Sequence, residues 1–212
     1  MKKTFLVLFV ALFTCMAVLS SCDIIPTPPT EEESSKDYPE NVTVTDSVNV
    51  GFYYKEANAA EFKEVTNSPI FDKSINWERG KIMYVTFKIV NEGNLIMSYR
   101  FDLTNEGCES TEDGYPVSNI VCVYEFDKGT VVTPDKFTMD QHYRGPLSYY
   151  VTDHHIVGTL MPNRSYEFVL ALHMVENGLP EYYGLSLGDV GVKLTASAIK
   201  AENDSFGNQY DK

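Results

Sequence analysis

The residue with the most specific chemical role is Cys22, which ends the stretch Leu19-Ser20-Ser21-Cys22. Two lysines precede an uncharged apolar run over residues 4–18, which is too short to span a bilayer and is typical of a signal peptide. Small residues before a cysteine are what a bacterial lipoprotein signal peptidase requires. We therefore predict that residues 1–21 are a lipoprotein signal peptide and that lipidated Cys22 holds the protein on the extracellular side of the cell membrane. The alternative is an ordinary signal peptide with an incidental cysteine.

Histidines and carboxylates are the next residues that could do chemistry, because they bind zinc and calcium. The chain has no His-Glu-x-x-His and no Gly-x-Ser-x-Gly pattern, so we assign no catalytic residue. His154 and His173 are weak candidates for a zinc site, although a solvent-facing strand histidine is the favoured interpretation. Asp204 and Asp211 are weak candidates for calcium. The prediction is therefore no cofactor, with zinc or calcium as alternatives.

Cys108 and Cys122 are the cysteines that follow Cys22. In an exported domain they could form one disulfide. They could equally stay reduced, with Cys122 as a small apolar core residue. The sequence leaves both alternatives open.

The charge balance limits the partners, because 30 acidic residues outweigh 17 basic ones and give a formal net charge of −13. Such a chain repels nucleic acid, and it repels anionic headgroups, so membrane attachment has to come from the acyl chains. Residues 22–45 are rich in Pro, Glu and Ser and are interpreted as a lipidated tether. Residues 46–212 then form one domain, long enough to bury a core.

Alternation with period two dominates this domain and predicts strands. The odd positions of residues 95–103 are large and apolar, and residues 192–198 alternate in the same way. Residues 81–90 form a denser run that suits a strand buried on both faces, and residues 91–94 carry a hairpin signal. Residues 134–141 favour a short helix. We predict an all-β fold, a jelly-roll-like antiparallel β-sandwich in a single domain with one or two short helices.

Several short segments, taken in their order along the chain, indicate a protein family more specifically than the strand pattern does. The segments are Asn76-Trp77-Glu78-Arg79-Gly80, Tyr84–Leu95, Tyr99–Phe101, Gly158–Pro162, Leu170-Ala171-Leu172-His173-Met174, Tyr183–Gly188 and Glu202–Asp211. Together they resemble the TasA/camelysin family of exported proteins over about residues 47–212. The chain departs from the family pattern at Arg79, where proline is usual.

The resemblance implies a jelly-roll domain of the kind found in biofilm matrix fibres, in which an N-terminal strand of one subunit completes the sheet of the next. Candidates for that donor or first strand are residues 42–45 and the segment that contains Ser47, Val48, Val50 and Phe52. The family also carries a metalloendopeptidase label, but no ligand set can be mapped onto this chain.

The leading hypothesis is a membrane-anchored extracellular structural or adhesion protein that is not an enzyme, with self-association or matrix proteins as partners. The first alternative is a camelysin-like metal-dependent endopeptidase at the cell surface. Zinc content, and casein cleavage with and without chelator, would separate the two. A substrate-binding lipoprotein is disfavoured because such proteins are usually larger and two-lobed, and a co-purified small ligand would revive it.

Overall fold

Ten β-strands and one α-helix make up the regular structure of the described residues. The structure is a computed structural model that describes residues 38–46, 48–66, 69–71, 73–75, 77–137, 141–176 and 180–199, all within one compact unit. The strands are β1 Val42–Thr45, β2 Val50–Glu56, β3 Lys63–Glu64, β4 Ile82–Asn91, β5 Met97–Glu106, β6 Val121–Asp127, β7 Tyr143–Pro146, β8 Ile156–Leu160, β9 Ser165–Met174 and β10 Asp189–Ala198. The helix is α1 Leu147–Asp153, and short 3-10 turns cover Val117–Ile120, Pro134–Lys136 and Pro180–Tyr182.

The strands form two sheets, which confirms the prediction of an all-β sandwich. One sheet has four strands in the order β1-β10-β5-β8, and the other has six in the order β3-β2-β4-β9-β6-β7. Neighbouring strands are antiparallel with one exception among the described pairs, because β1 runs parallel to β10. A parallel pair cannot be closed by a short hairpin, so β1 reaches its place from elsewhere in the chain.

The core lies between the two sheets and is built from the alternating positions that the sequence indicated. Phe87 of β4 packs against Phe101 of β5 with ring centroids 5.1 Å apart, and Phe101 meets Phe168 of β9 edge-on at the same distance. All three rings are at most 2% exposed. Burial of each such side chain contributes about 1.5–3 kcal/mol, so these strands hold the sandwich together.

A second apolar cluster covers the outer face of the six-stranded sheet around β6. Its buried members are Cys122, Tyr124, Phe126, Val169 and Ala171. The segment that follows β6 covers them, because Val132 and Phe137 pack onto this face. Strand β6 is therefore buried on both faces. The expectation that residues 81–90 would be buried on both faces is only half right, since Val85, Phe87 and Ile89 are buried while the alternate residues are half-exposed.

The hairpin prediction for residues 91–94 is wrong. Strand β4 belongs to the six-stranded sheet and β5 to the four-stranded sheet, so this connection crosses from one sheet to the other. Asn91 explains the difference, because its fully buried side chain donates to Leu95 O at 2.7 Å and to Leu160 O at 2.9 Å, and accepts from Gly93 N at 3.1 Å. These bonds fold the connection over the end of the sandwich.

The prediction of a short helix over residues 134–141 is also corrected. In its described part, only Pro134–Lys136 forms a 3-10 turn. The α-helix lies instead at Leu147–Asp153, where Leu147 and Tyr150 are buried three residues apart on one face. Pro146 precedes the helix, and proline is tolerated at such a start because the first backbone N–H groups have no partner within the helix.

Candidate functional site

The edge of the four-stranded sheet at β1 is the feature that bears most directly on strand addition. Residues Val42–Thr45 pair with Leu194–Ser197 of β10, and β10 is the neighbour of β1 in the sheet. The burial of β1 alternates, since Val42 is buried, Val44 is half-buried and the two threonines are exposed. This short strand therefore covers the core with only two side chains.

Besides its backbone pairing with β10, β1 and the residue before it make polar contacts to that strand, including Thr45 Oγ1, which donates to Ala196 O at 3.5 Å. Leu194 N donates to Asn41 O at 2.9 Å, and Asn41 Nδ2 donates to Val192 O at 3.2 Å. The other amide atom, Asn41 Oδ1, is buried and has no hydrogen-bond partner among the described residues. An unsatisfied buried acceptor costs about 1–3 kcal/mol, so this contact is less favourable than its two hydrogen bonds suggest.

Tyr38 fastens the segment that enters β1 to the segment that leaves it. Its hydroxyl donates towards Val48 O at 3.2 Å and Asn49 Oδ1 at 3.3 Å, and it accepts from Val50 N at 3.1 Å. The link between β1 and β2 contains Asp46, whose φ of 59° lies in the left-handed region. The chain therefore changes sheets within the few residues between β1 and β2, and Tyr38 holds the described residues 48–50 at the end of this link.

The predicted donor-strand candidates fall in different places. Val48 lies in the link, while Val50 and Phe52 lie in β2, where they are 1% and 3% exposed and β2 pairs with both β4 and β3. Ser47 lies outside the described residues. Among the candidates that the structure describes, β1 is thus the strand at an edge, and β2 is an interior strand.

A polar cluster around Glu125 contains one of the predicted metal candidates. His154 Nε2 lies 3.1 Å from Glu125 Oε1, and the Tyr150 hydroxyl donates to the same oxygen at 2.5 Å. The other carboxylate oxygen accepts from Arg144 Nε at 2.9 Å. Burial, followed by the Glu125 charge, raises the pKa of Tyr150, so the hydroxyl stays protonated and donates. Glu125 joins β6 to β7, to α1 and to the residue after α1.

Sequence analysis missed Glu125 and Arg144. The signal that could have identified Glu125 is its position as a charged residue inside the run Val121–Asp127, which is otherwise mostly apolar. A carboxylate in such a strand needs charged or hydrogen-bonding partners. The three side-chain partners follow it by 19, 25 and 29 positions, and nothing in the sequence shows that these positions meet.

His173, the other metal candidate, lies in the outer aromatic cluster. Its ring centroid is 5.0 Å from that of Phe137 and 6.4 Å from that of Tyr124. Burial lowers the pKa of His173 and favours the neutral ring. Within the described part of the chain, no group of three or more His, Cys, Asp or Glu side chains is arranged to hold a metal ion. Asp204 and Asp211, the calcium candidates, lie outside the described residues.

The two cysteines of the domain are free thiols. Cys122 is buried in the outer cluster of the six-stranded sheet, whereas Cys108 packs against the central core. Burial raises the pKa of the Cys122 thiol, so this side chain behaves as a small apolar residue. Cys22, the predicted lipidation site, lies outside the described residues. No helix in the described ranges is long and apolar enough to cross a membrane.

The fold and these contacts define a β-sandwich in which the short strand β1 lies at a sheet edge and pairs with β10. Comparison with known proteins finds no matching family model and no matching curated protein.

Proposed function

We propose that this chain is a lipid-anchored extracellular protein with a structural or adhesive role, and that it joins copies of itself or matrix proteins by strand addition through β1. The observation that carries the proposal is that β1 is a four-residue parallel strand at a sheet edge, followed by Asp46 with a positive φ. The predicted lipoprotein signal supports the anchor, and the resemblance to matrix fibre proteins supports the role.

Exchange of β1 between two copies costs little free energy once both are close. A β1 from a neighbour brings the same Val42 and Val44 to the same β10, so the swapped state regains the apolar burial and backbone pairing of the unswapped one. The difference between the two states then depends on the link and on the local concentration of copies.

The link between β1 and β2 favours the exchanged state. Asp46 has a positive φ, a conformation that Asp adopts more readily than most residues other than glycine, at a cost of at most about 1 kcal/mol. In an exchanged arrangement this link extends towards a second molecule, and the positive φ is no longer required. Short, strained links are a recognised cause of domain swapping for this reason.

The lipid anchor determines what kind of assembly is expected. A chain fixed at Cys22 cannot diffuse into a long fibre of released subunits, but anchoring raises its concentration at the membrane surface. We therefore expect a fibre base or a surface adhesion module, with β1 presented to a partner at the cell surface.

Mixing two single-cysteine variants tests the exchange. Thr43 of β1 pairs with Thr195 of β10, so Thr43→Cys and Thr195→Cys are made separately in the secreted Cys22→Ala form, with Cys108→Ser added to remove the less buried thiol. Mild oxidation of the mixture is expected to give a disulfide-linked dimer, because β1 of one variant lies on β10 of the other only after exchange.

A matched control replaces the second variant with Val157→Cys, which lies on β8 at the opposite edge of the same sheet and is 62% exposed. This mixture measures dimers that form by random collision. Strand exchange is refuted if the Thr195→Cys mixture gives no more dimer than the Val157→Cys mixture. The structural role is refuted separately if imaging shows that neither the anchored nor the secreted Cys22→Ala form assembles or binds matrix.

A further inference from the structure

Strand β8 forms the edge of the four-stranded sheet that lies opposite β1, and among the described residues it pairs with β5 alone. An edge strand has a row of backbone N–H and C=O groups that no neighbouring strand uses, so another strand can pair with it. Proteins usually protect such edges with charged residues, proline, bulges or very short strands. The protection of each edge therefore indicates whether it is closed to a partner.

Both edges of the six-stranded sheet are protected in these ways, whereas β8 is not. Strand β3 has only two residues, Lys63 and Glu64, which are charged and exposed. Strand β7 contains Arg144 and ends at Pro146, and its register with β6 is irregular. Strand β8 is the longest of the four edge strands in the described ranges, has neither charge nor proline, and keeps a continuous register with β5 over Ile156–Leu160.

The outer face of β8 presents an uncharged surface. Val157 is 62% exposed and Thr159 is also exposed, while the other three residues of the strand are half-buried or buried. On β5, Arg100 lies beside Val157 and forms an ion pair with Asp102 at 2.9 Å, so its charge is balanced. Two copies of a chain with a net charge of −13 repel each other on average, but no like charges would meet along this strand.

The sequence of β8 is complementary to itself when two copies run antiparallel about Gly158. Ile156 of one copy then lies opposite Leu160 of the other on the core side, and Val157 lies opposite Thr159 on the outer face. Cross-strand pairs of apolar and β-branched residues of this kind stabilise a sheet. The same register keeps the core-facing side chains of both copies on one side of the joined sheet.

The charges that flank β8 favour antiparallel over parallel pairing. Asp153 precedes the strand and Arg164 follows it, and both residues are exposed. Antiparallel pairing brings the acidic end of one strand towards the basic end of the other, whereas parallel pairing would bring like charges together. An antiparallel pair of identical strands is also a two-fold symmetric contact, which is complete with two copies.

We propose that β8 pairs antiparallel with β8 of a second copy and joins two four-stranded sheets into one continuous sheet. This contact is separate from the exchange of β1 proposed above, so either can fail without the other. The paired strands contribute five residues a side, fewer than the roughly 20–30 a side of a standard interface, so the dimer is weak in dilute solution.

Two single-cysteine variants test the pairing and its register. Val157→Cys and Thr159→Cys are made separately in the secreted Cys22→Ala form with Cys108→Ser, and they are mixed at roughly 1 mM protein because the contact is weak. Opposite positions of an antiparallel pair have Cα atoms about 4.5–5.5 Å apart, which is within reach of a disulfide. Mild oxidation of the mixture is therefore expected to give a linked dimer that contains one chain of each variant.

Each variant oxidised alone is the matched control. Its two thiols lie two positions out of register, with Cα atoms about 7–8 Å apart, at or beyond the limit of about 7 Å for a disulfide. Little linked dimer is expected from either variant alone. For the same reason, Val157→Cys remains a control for random collision in the test of β1 exchange.

Substitutions that place like charges across the contact provide a second test. Oxidation of Thr43→Cys/Thr195→Cys in dilute solution locks β1 onto its own β10, so any dimer of this form that sedimentation detects does not come from exchange. In this locked form, the pair Val157→Lys/Thr159→Lys places lysines opposite each other and should weaken dimerisation about tenfold or more. The pair Val157→Glu/Thr159→Glu should do the same, and a mixture of the two variants should regain the dimer.

Thermal unfolding of the charged variants should match that of the parent, because both substituted side chains are exposed. The proposal is overturned if the cysteine mixture gives no more linked dimer than Val157→Cys or Thr159→Cys alone. It is also overturned if the folded lysine variant dimerises as strongly as the locked parent. Neither result bears on β1, whose exchange is measured by its own pair of cysteine variants.

Discussion

Replacement of Asn91 by alanine should be among the most destabilising polar-to-alanine changes in the domain. Asn91 is fully buried, and its side chain makes three hydrogen bonds that hold the crossing between the two sheets. Alanine keeps the backbone but removes all three bonds at once. The neighbouring Asn94 is exposed in the same connection and provides a matched control.

The magnitude follows from what each former partner can do afterwards. The carbonyl of Leu160 accepts from Asn91 in a buried bond and would lose that partner, at a cost of about 1–3 kcal/mol. Leu95 is 45% exposed and Gly93 is partly exposed, so water can replace the asparagine there, and each lost bond costs about 0.5–1.5 kcal/mol. The expected loss in the free energy of unfolding is therefore about 2–6 kcal/mol.

Urea unfolding of the secreted Cys22→Ala form, followed by far-UV circular dichroism, measures this loss. Asn91→Ala should lower the urea midpoint strongly, and Asn94→Ala should change the free energy of unfolding by less than about 0.5 kcal/mol. Asn91→Asp should also destabilise, because it places a carboxylate oxygen against the carbonyls of Leu95 and Leu160. If Asn91→Ala and Asn94→Ala behave alike, the crossing does not depend on this side chain and the reasoning fails.

Gly188→Ala should destabilise the domain by more than about 3 kcal/mol, because the new Cβ would overlap the backbone of Glu106 and Gly107. Gly129→Ala shares the positive φ but has no atom within 4 Å of its Cβ, so it should cost only about 1–2 kcal/mol in thermal unfolding; equal losses would contradict the role of the overlap. Burial lowers the pKa of His173 below 6.5, so the unfolded chain binds protons more readily and stability should fall as pH drops through 6.5. His173→Gln should reduce that slope in urea unfolding measured from pH 7.5 to 5, and an unchanged slope would show that other groups cause it.

The fold class was predictable because period-two alternation is present in β4, β5 and β10, three of the four ten-residue strands among the described residues. In β10 the buried residues Val192, Leu194 and Ala196 alternate with more exposed ones, and β5 shows the same pattern at Tyr99 and Phe101. A pattern of this kind records which face of a strand is buried. It identifies a strand because successive side chains point to opposite faces, and one of those faces is covered by the neighbouring sheet.

The alternation did not show which strands pair with each other or which sheet each strand joins. The turn residues after β4 resemble those of a hairpin, yet Asn91 directs the chain into the other sheet through bonds to Leu160, which lies 69 positions away. Helix α1 was missed because seven residues that include two tyrosines, a valine and a threonine resemble a strand. Burial of Leu147 and Tyr150 on one helical face outweighs that local preference.

For the candidate sites as well, the sequence shows the chemical type of each residue but not which residues meet in space. The sequence marked His154 as a residue that could bind a metal, and the structure gives it a carboxylate partner, Glu125, together with Tyr150 and Arg144. The chemical type of each residue was readable from the sequence, but the convergence of three side chains on the Glu125 carboxylate requires the packing of β6, β7 and α1.

The sequence of β1 specifies a strand with one apolar face, but it does not specify which copy of β10 that strand pairs with. Alternation in Val42–Thr45 fixes which side chains face the core, and any β10 that offers an apolar edge satisfies that requirement equally well. β10 itself pairs with β5 along ten residues and stays in place when β1 leaves, because only four of those residues also pair with β1. Local opening at such an edge needs far less free energy than global unfolding. Under the proposed strand exchange, the same four residues would complete their own domain or a neighbour's, and the local concentration set by the proposed anchor would decide between the two.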